Sequence, residues 1–140
     1  MKLMNISMSR KTDLAIKALT VLSRTEERIA GSALADAIGT SVSYLPQILG
    51  PLVRAGWVDS ERGPRGGYLA TAELDDISLL ALIEATEGAI EDGRCVLREG
   101  PCPGSESCPV HTAWLPARSV LMDRLGQLSL SEALVTEAST

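Results

Sequence analysis

Residues 31–57, GSALADAIGTSVSYLPQILGPLVRAGW, admit few arrangements. Leu34 and Ile38 stand one turn apart, the spacing of a short helix's apolar edge. Ala35 is small enough to let a second helix cross closely. Gly39 follows at a helix-ending position that tolerates positive φ. A second helix is predicted to begin near Ser41 or Ser43 and to turn Leu45, Ile48, Leu49 and Leu52 inward. Pro46 fits its first turn if Ser43 is the cap, whereas Pro51 has no such place and is predicted to kink it. Two short helices joined across a glycine make a helix-turn-helix, whose second helix enters a DNA major groove.

The flanking residues extend this reading. Ser9 can cap a helix running to about Ser23, with Leu14, Ala18, Val21 and Leu22 as its apolar stripe. Downstream, Trp57 and Val58 read as the start of a strand, and Tyr68 and Leu69 as its return. Between them ERGPRGG forms a Gly/Pro hairpin tip carrying Arg62 and Arg65. A hairpin after a helix-turn-helix gives a winged helix, and arginines on its tip suit the negative potential of a minor groove. An ordinary αα-hairpin followed by a β-hairpin with solvated arginines is the plainer alternative. The order of the three elements favours the winged helix. Ser41, Ser43, Tyr44 and Gln47 then lie near the exposed start of the second helix. Ser and Gln can read base edges, and Tyr can bond a phosphate or pack on a sugar. Arg10 and Lys11, at the start of the first helix, are candidate phosphate contacts; Arg54 is either another or a solvated charge.

A formal net charge of −5 opposes a nucleic-acid partner only for the chain as a whole. Residues 1–70 hold nine Lys/Arg and six Asp/Glu, residues 71–140 four and twelve, so the halves carry +3 and −8. The first half can meet phosphates and the second cannot. The predicted organisation is one compact domain with two regions: a winged helix-turn-helix over 1–72, and a helix, a cysteine loop and a dimerisation helix over 73–140. With two Trp, two Tyr and no Phe, the core must be aliphatic, which suits a mainly α fold with one small β-hairpin. No apolar run reaches the ~20 residues of a membrane span. The N-terminal residues lack an apolar segment of signal-peptide length, so a cytoplasmic location is expected.

In the second half, residues 75–88 read as a helix capped by Asp76, with Ile77, Leu80, Leu82 and Ile83 apolar. Another helix is predicted from Pro109, with Cys108 at its cap. Trp114, Ala117, Leu121, Leu125 and Leu128 give it one long stripe, interrupted by Pro116. The winged helix has little surface left to cover that stripe, so its twin in a two-fold homodimer is the expected partner, with Trp114, Leu121, Leu125 and Leu128 in the seam. The last residues can form one more short helix.

Between these helices lies CVLREGPCPGSESCPVHTAW, which holds all three cysteines and the single histidine of the chain. The spacing is Cys95-x6-Cys102-x5-Cys108-x2-His111. Three cysteines cannot all pair, and clustered cysteines in a reducing compartment bind metal or do redox chemistry more often than they staple. A [2Fe–2S] cluster takes four protein ligands, thiolate or imidazole. Cys108 and His111 stand one helical turn apart, and a thiolate at a helix N-terminus is favoured by the dipole. A Cys3His zinc site uses the same ligand set but normally has a short Cys-x2-4-Cys pair, which is absent. A regulatory disulfide would leave one cysteine idle. Nothing resembles a nucleophile–base set, so no enzyme is expected. An iron–sulfur electron-transfer protein would leave the winged helix without a use.

These residues resemble the Rrf family of bacterial winged-helix transcriptional regulators, in its iron–sulfur sensor branch. The similarity covers nearly the whole chain. SVSYLPQILGPLVRAGWVDSERGPRGGYLA is similar to the family's recognition helix and wing, with RGPRGGY its most specific run, and the loop ending CPVHTAW is similar to its three-cysteine loop. The resemblance implies a homodimer on a palindromic operator in double-stranded DNA. A His three residues after the last Cys is the IscR-like arrangement and implies a [2Fe–2S] cluster on Cys95, Cys102, Cys108 and His111. KTDLAIKAL, residues 11–19, is instead similar to NsrR-like members, and implies a [4Fe–4S] cluster completed by Asp13 of the partner subunit. IscR-like members carry a glutamate where this chain has Pro46, so a glutamate-based switch of DNA specificity is not implied.

Overall fold

The computed structural model describes residues 9–88, 97, 102–104 and 106–138, with side chains as far as residue 134. Cys95 lies outside the described residues. Helix α1 spans Arg10–Ser23, and the Ser9 hydroxyl caps it, accepting the Thr12 N–H at 3.2 Å. Leu14, Ala15, Ala18, Leu19 and Leu22 are all buried, so α1 is the central rod. It packs against α2 (Gly31–Ile38), α3 (Leu45–Arg54) and α4 (Leu79–Glu87). Gly39 ends α2 in the left-handed region at φ 78°, as its position in the sequence requires.

The second helix of the pair begins later than Ser41 or Ser43. Tyr44 N–H and Leu45 N–H both reach the Ser41 carbonyl, at 3.2 Å each, and residues 42–44 form a turn ahead of α3. Pro46 has no N–H for the Val42 carbonyl, which excludes a start at Ser41; it does not exclude a start at Ser43, where that N–H would have had no helical partner. Pro51 is buried inside α3, which runs on to Arg54 and forgoes one bond to the Gln47 carbonyl.

Strands β1 (Val58–Glu61) and β2 (Gly67–Ala70) form the antiparallel hairpin, registered Val58↔Ala70, Asp59↔Leu69, Ser60↔Tyr68 and Glu61↔Gly67. Ile29 adds a third edge that its sequence does not announce, exchanging two 2.9 Å bonds with Tyr68. The two glycines that close the tip are both needed. A Cβ on Gly66 would lie 2.2 Å from the Glu61 carbonyl oxygen, and one on Gly67 would lie 2.3 Å from that of Ile29.

The second half departs from the sequence reading at two helix starts. Residues Leu74–Asp76 form a 3-10 turn, and α4 is capped by Ser78, not Asp76; the Ser78 hydroxyl accepts the Ala81 N–H at 3.0 Å. Ile77 cannot join a helix because its carbonyl accepts from Leu130 N–H at 2.9 Å, while Leu79 N–H bonds the Leu128 carbonyl at 2.8 Å. Helix α5 spans His111–Gln127, with Val110 and not Cys108 at its cap position. Residues 109–110 are a turn closed from His111 N–H to the Cys108 carbonyl at 3.3 Å, and the first four-residue helical bond is Trp114 N–H to Val110 at 2.7 Å. Helix α6, Leu130–Ala138, is the expected short terminal helix.

One core cluster joins α1, α2 and α3 to Val58, Ile77, Leu82 and Leu130. Its buried residues are aliphatic, with Tyr44, Trp57 and Tyr68 packed at its edge. Among the described residues no helix is long and apolar enough to cross a membrane.

Candidate nucleic-acid interface and cysteine loop

The turn before α3 and the hairpin tip present the candidate DNA contacts. Ser41, Ser43 and Gln47 are exposed, as are Arg62, Arg65 and Arg10, while Lys11 is half-buried. Ser41 Oγ accepts the Tyr44 N–H and sits 3.2 Å from Ser43 Oγ, so these two hydroxyls hold the turn as well as facing outward. Tyr44 is half-buried against the core, which anchors the turn. Arg28, which sequence reasoning missed, braces the hairpin. Its guanidinium pairs with the Asp59 carboxylate, lies 3.3 Å from Glu61, and reaches the carbonyls of Asp59 and Gly67. It therefore neutralises two carboxylates beside the arginine tip and ties β1 to β2. A lone charge on a loop gives no periodic signal by which to find it.

The cysteine loop is shaped by Gly104, at φ 101°, whose carbonyl accepts the Cys108 N–H at 2.9 Å. Cys108 is buried. Cys102 Sγ lies 3.1 Å from His111 Nδ1, so the ring nitrogen nearest the helix start is turned toward the loop. Sulfur at about 2.3 Å and nitrogen at about 2.0 Å from one tetrahedral metal stand about 3.5 Å apart. The pair thus fits a shared ion after a shift of a few tenths of an ångström. Among the described residues, which exclude Cys95, no set of three Cys, His, Asp or Glu gathers to hold an ion.

Asp13 sits in the first turn of α1, about half exposed, 3.1 Å from Lys17. Its neighbour Thr12 is fully buried and joins α1 to the end of α4. The Thr12 hydroxyl shares a 2.6 Å bond with Thr86 and donates to Glu87 at 2.8 Å. Gly88 ends α4, so this contact ties α1 to the last turn of the helix that precedes the cysteines in sequence.

Helix α5 has two faces. His111, Trp114, Arg118, Met122, Leu125 and Leu128 are half-buried at helical spacing, toward the rest of the chain. Val120 is 70% exposed and Leu121 37%, and Ala113 and Ala117 lie on the same side. The single stripe expected from the sequence is therefore split: Trp114, Leu125 and Leu128 are half-buried, whereas Leu121 is exposed.

A family profile described as Rrf2, iron-dependent transcriptional regulator, matches residues 8–136. The chain belongs to the Rrf2 family. Among its Rrf2 relatives, the HTH-type transcriptional regulator IscR of Pectobacterium carotovorum is 35% identical over 99 residues, 71% of this chain and 60% of the relative. IscR of Aliivibrio salmonicida is 35% identical over 102 residues, 73% and 60%. The match thus spans about 60% of the length of these curated relatives. Among solved structures, CymR (YrzC), the global cysteine regulator of B. subtilis, superposes with TM-score 0.69 at 25% identity, covering 92% of this chain and 96% of that one. T. potens IscR gives 0.68 at 24%, covering 97% and 93%, a likeness of fold. Rrf2 proteins are DNA-binding transcriptional regulators and not enzymes, and the mainly α winged-helix architecture read from this chain is theirs.

Proposed function

We propose that this Rrf2 chain is a homodimeric, sequence-specific regulator that binds a palindromic operator and senses redox, iron or nitric-oxide status through an iron–sulfur cluster. The observation that carries the sensing part is the 3.1 Å approach of Cys102 Sγ to His111 Nδ1, two soft ligands set from a glycine-shaped loop and a helix start. Cys95, Cys102, Cys108 and His111 would hold a [2Fe–2S] cluster, the preferred type; a [4Fe–4S] cluster completed by Asp13 of the partner subunit is the alternative. When bound, the group supplies a centre that oxidants and nitric oxide attack. The chain's own contribution is the Thr12–Thr86–Glu87 joint, buried at its two threonines, which ties the DNA-binding half to the end of α4. Ser41, Ser43 and Gln47 face the major groove in this reading, Tyr44 bonds a phosphate or packs on a sugar, Arg62 and Arg65 face the minor groove, and Arg10 and Lys11 the phosphates. The exposed side of α5, with Val120 and Leu121, meets its twin.

Anaerobic purification tests the reading, with iron and acid-labile sulfide quantified per chain. About two of each, lost in Cys102→Ala, is the expected result. About four of each moves the fourth ligand to Asp13 of the partner subunit. A colourless protein holding zinc replaces sensing with a structural clamp. For the DNA half, Arg65→Ala is expected to weaken operator binding in a mobility-shift titration and to flatten its salt dependence; an unchanged titration removes the wing tip from the interface.

A further inference from the structure

Val42 is a β-branched, apolar residue in a turn, a position that ordinarily takes Gly, Asn, Asp or Ser. It is 58% exposed. The other exposed large apolar side chains among the described residues, Leu115, Val120 and Leu121, all belong to α5. Val42 stands apart from them, between Ser41 and Ser43, at the end of α3 that faces DNA in the reading above. Those two serines spend part of their hydrogen-bonding capacity on each other and on the Tyr44 N–H. Pro46, also exposed, adds a second apolar surface at the same end of α3. A reading edge with this composition discriminates by apolar contact as well as by hydrogen bonds. Only thymine offers an apolar group in the major groove, its 5-methyl.

We propose that Val42 is a specificity-determining residue that packs on a thymine 5-methyl group in each half-site. The inference rests on the DNA-binding reading and deepens it, since it names the base feature that the turn selects. Gln47, exposed in the first turn of α3, is suited to the adenine of an A·T pair by its amide, so the two side chains together favour A·T steps.

The test uses the full chain, purified anaerobically, and a duplex it selects from a randomised library. Each thymine of that duplex is replaced in turn by deoxyuridine, which removes the methyl and leaves every hydrogen bond. The wild type is expected to lose about fourfold in affinity at one thymine per half-site, the value of one buried methyl. Val42→Ser, which suits a turn, is expected to bind both duplexes equally. If that variant does not bind, Val42→Thr, which keeps one methyl, carries the comparison and retains part of the discrimination. Indifference of the wild type to every deoxyuridine overturns the proposal, as does a Val42→Ser protein that discriminates like the wild type. A protein that enriches no duplex overturns the DNA-binding reading itself, and this inference with it.

Discussion

Helices α3 and α5 both contain a proline and stand in opposite relations to the core. The 10-residue α3 buries Leu45, Ile48, Leu49, Pro51 and Leu52; the 17-residue α5 fully buries none of its side chains. Apolar residues occur in both, but in α3 they gather on one face, whereas in α5 they are spread around the helix among more charged residues. The supply of partners differs as well. Helix α3 is surrounded by α1, α4 and β1. Helix α5 packs chiefly on α4, where Gly126 approaches Leu80, and Leu115, Val120 and Leu121 stay exposed.

Truncation should separate the two helices. Leu49→Ala is expected to cost about 3 kcal/mol, within the range for a fully buried leucine, at any protein concentration. Chemical denaturation reads this directly. Leu121→Ala is expected to cost about 1–2 kcal/mol per subunit, and only in the dimer. Sedimentation equilibrium would then show a raised dissociation constant with unchanged monomer unfolding. A Leu121→Ala protein with the wild-type dissociation constant breaks the comparison, because the exposed face of α5 would then have no partner in its own twin.

A smaller effect is expected at the joint between the two regions. Thr12→Val keeps the shape of a buried side chain but takes the hydroxyl from Thr86 and Glu87. The cost should be about 1–2 kcal/mol, the penalty for stranding buried or half-buried acceptors. In operator titrations of cluster-loaded and cluster-free protein, the variant should also show a smaller difference in affinity between the two forms. Equal differences in variant and wild type would leave the joint as packing alone.

The first region was far more legible in the sequence than the second. Gly39, the Leu45–Leu52 spacing and the Gly66–Gly67 pair are local signals, and local hydrogen bonds decided the structure there. That α3 does not start at Ser41 was legible in principle, since Pro46 lacks the donor for the Val42 carbonyl. The misread starts of α4 and α5 have other causes. Ile77 is held extended by Leu130, more than fifty residues away, which no short window contains. At the cysteine loop, Pro109 looked like a first helical residue, but the turn from Cys108 to His111 delays the helix by two positions. His111 Nδ1 lies beside Cys102 Sγ at the start of this delayed helix, an approach that the motif spacing did not specify. The braces at Arg28 and Thr12 were illegible because each works through residues distant in sequence.

The smallest energetic effect bears on the sharpest chemical question. Asp13 forms an exposed i,i+4 pair with Lys17, worth about 0.3–0.5 kcal/mol, with a small addition from the α1 dipole. Asp13→Asn should therefore leave the melting temperature nearly unchanged. Its effect on iron content is an all-or-none matter. With His111 as fourth ligand, the Asn variant keeps the iron, sulfide and visible spectrum of the wild type, and His111→Ala loses them. With Asp13 of the partner subunit as ligand, the order reverses, and the loss appears in a protein as stable as the wild type. The [2Fe–2S] preference predicts the first pattern. The second would mean that one subunit's α1 is bound to the other's cysteine loop, and that the outer face of α5 is not the only surface across which two chains must meet.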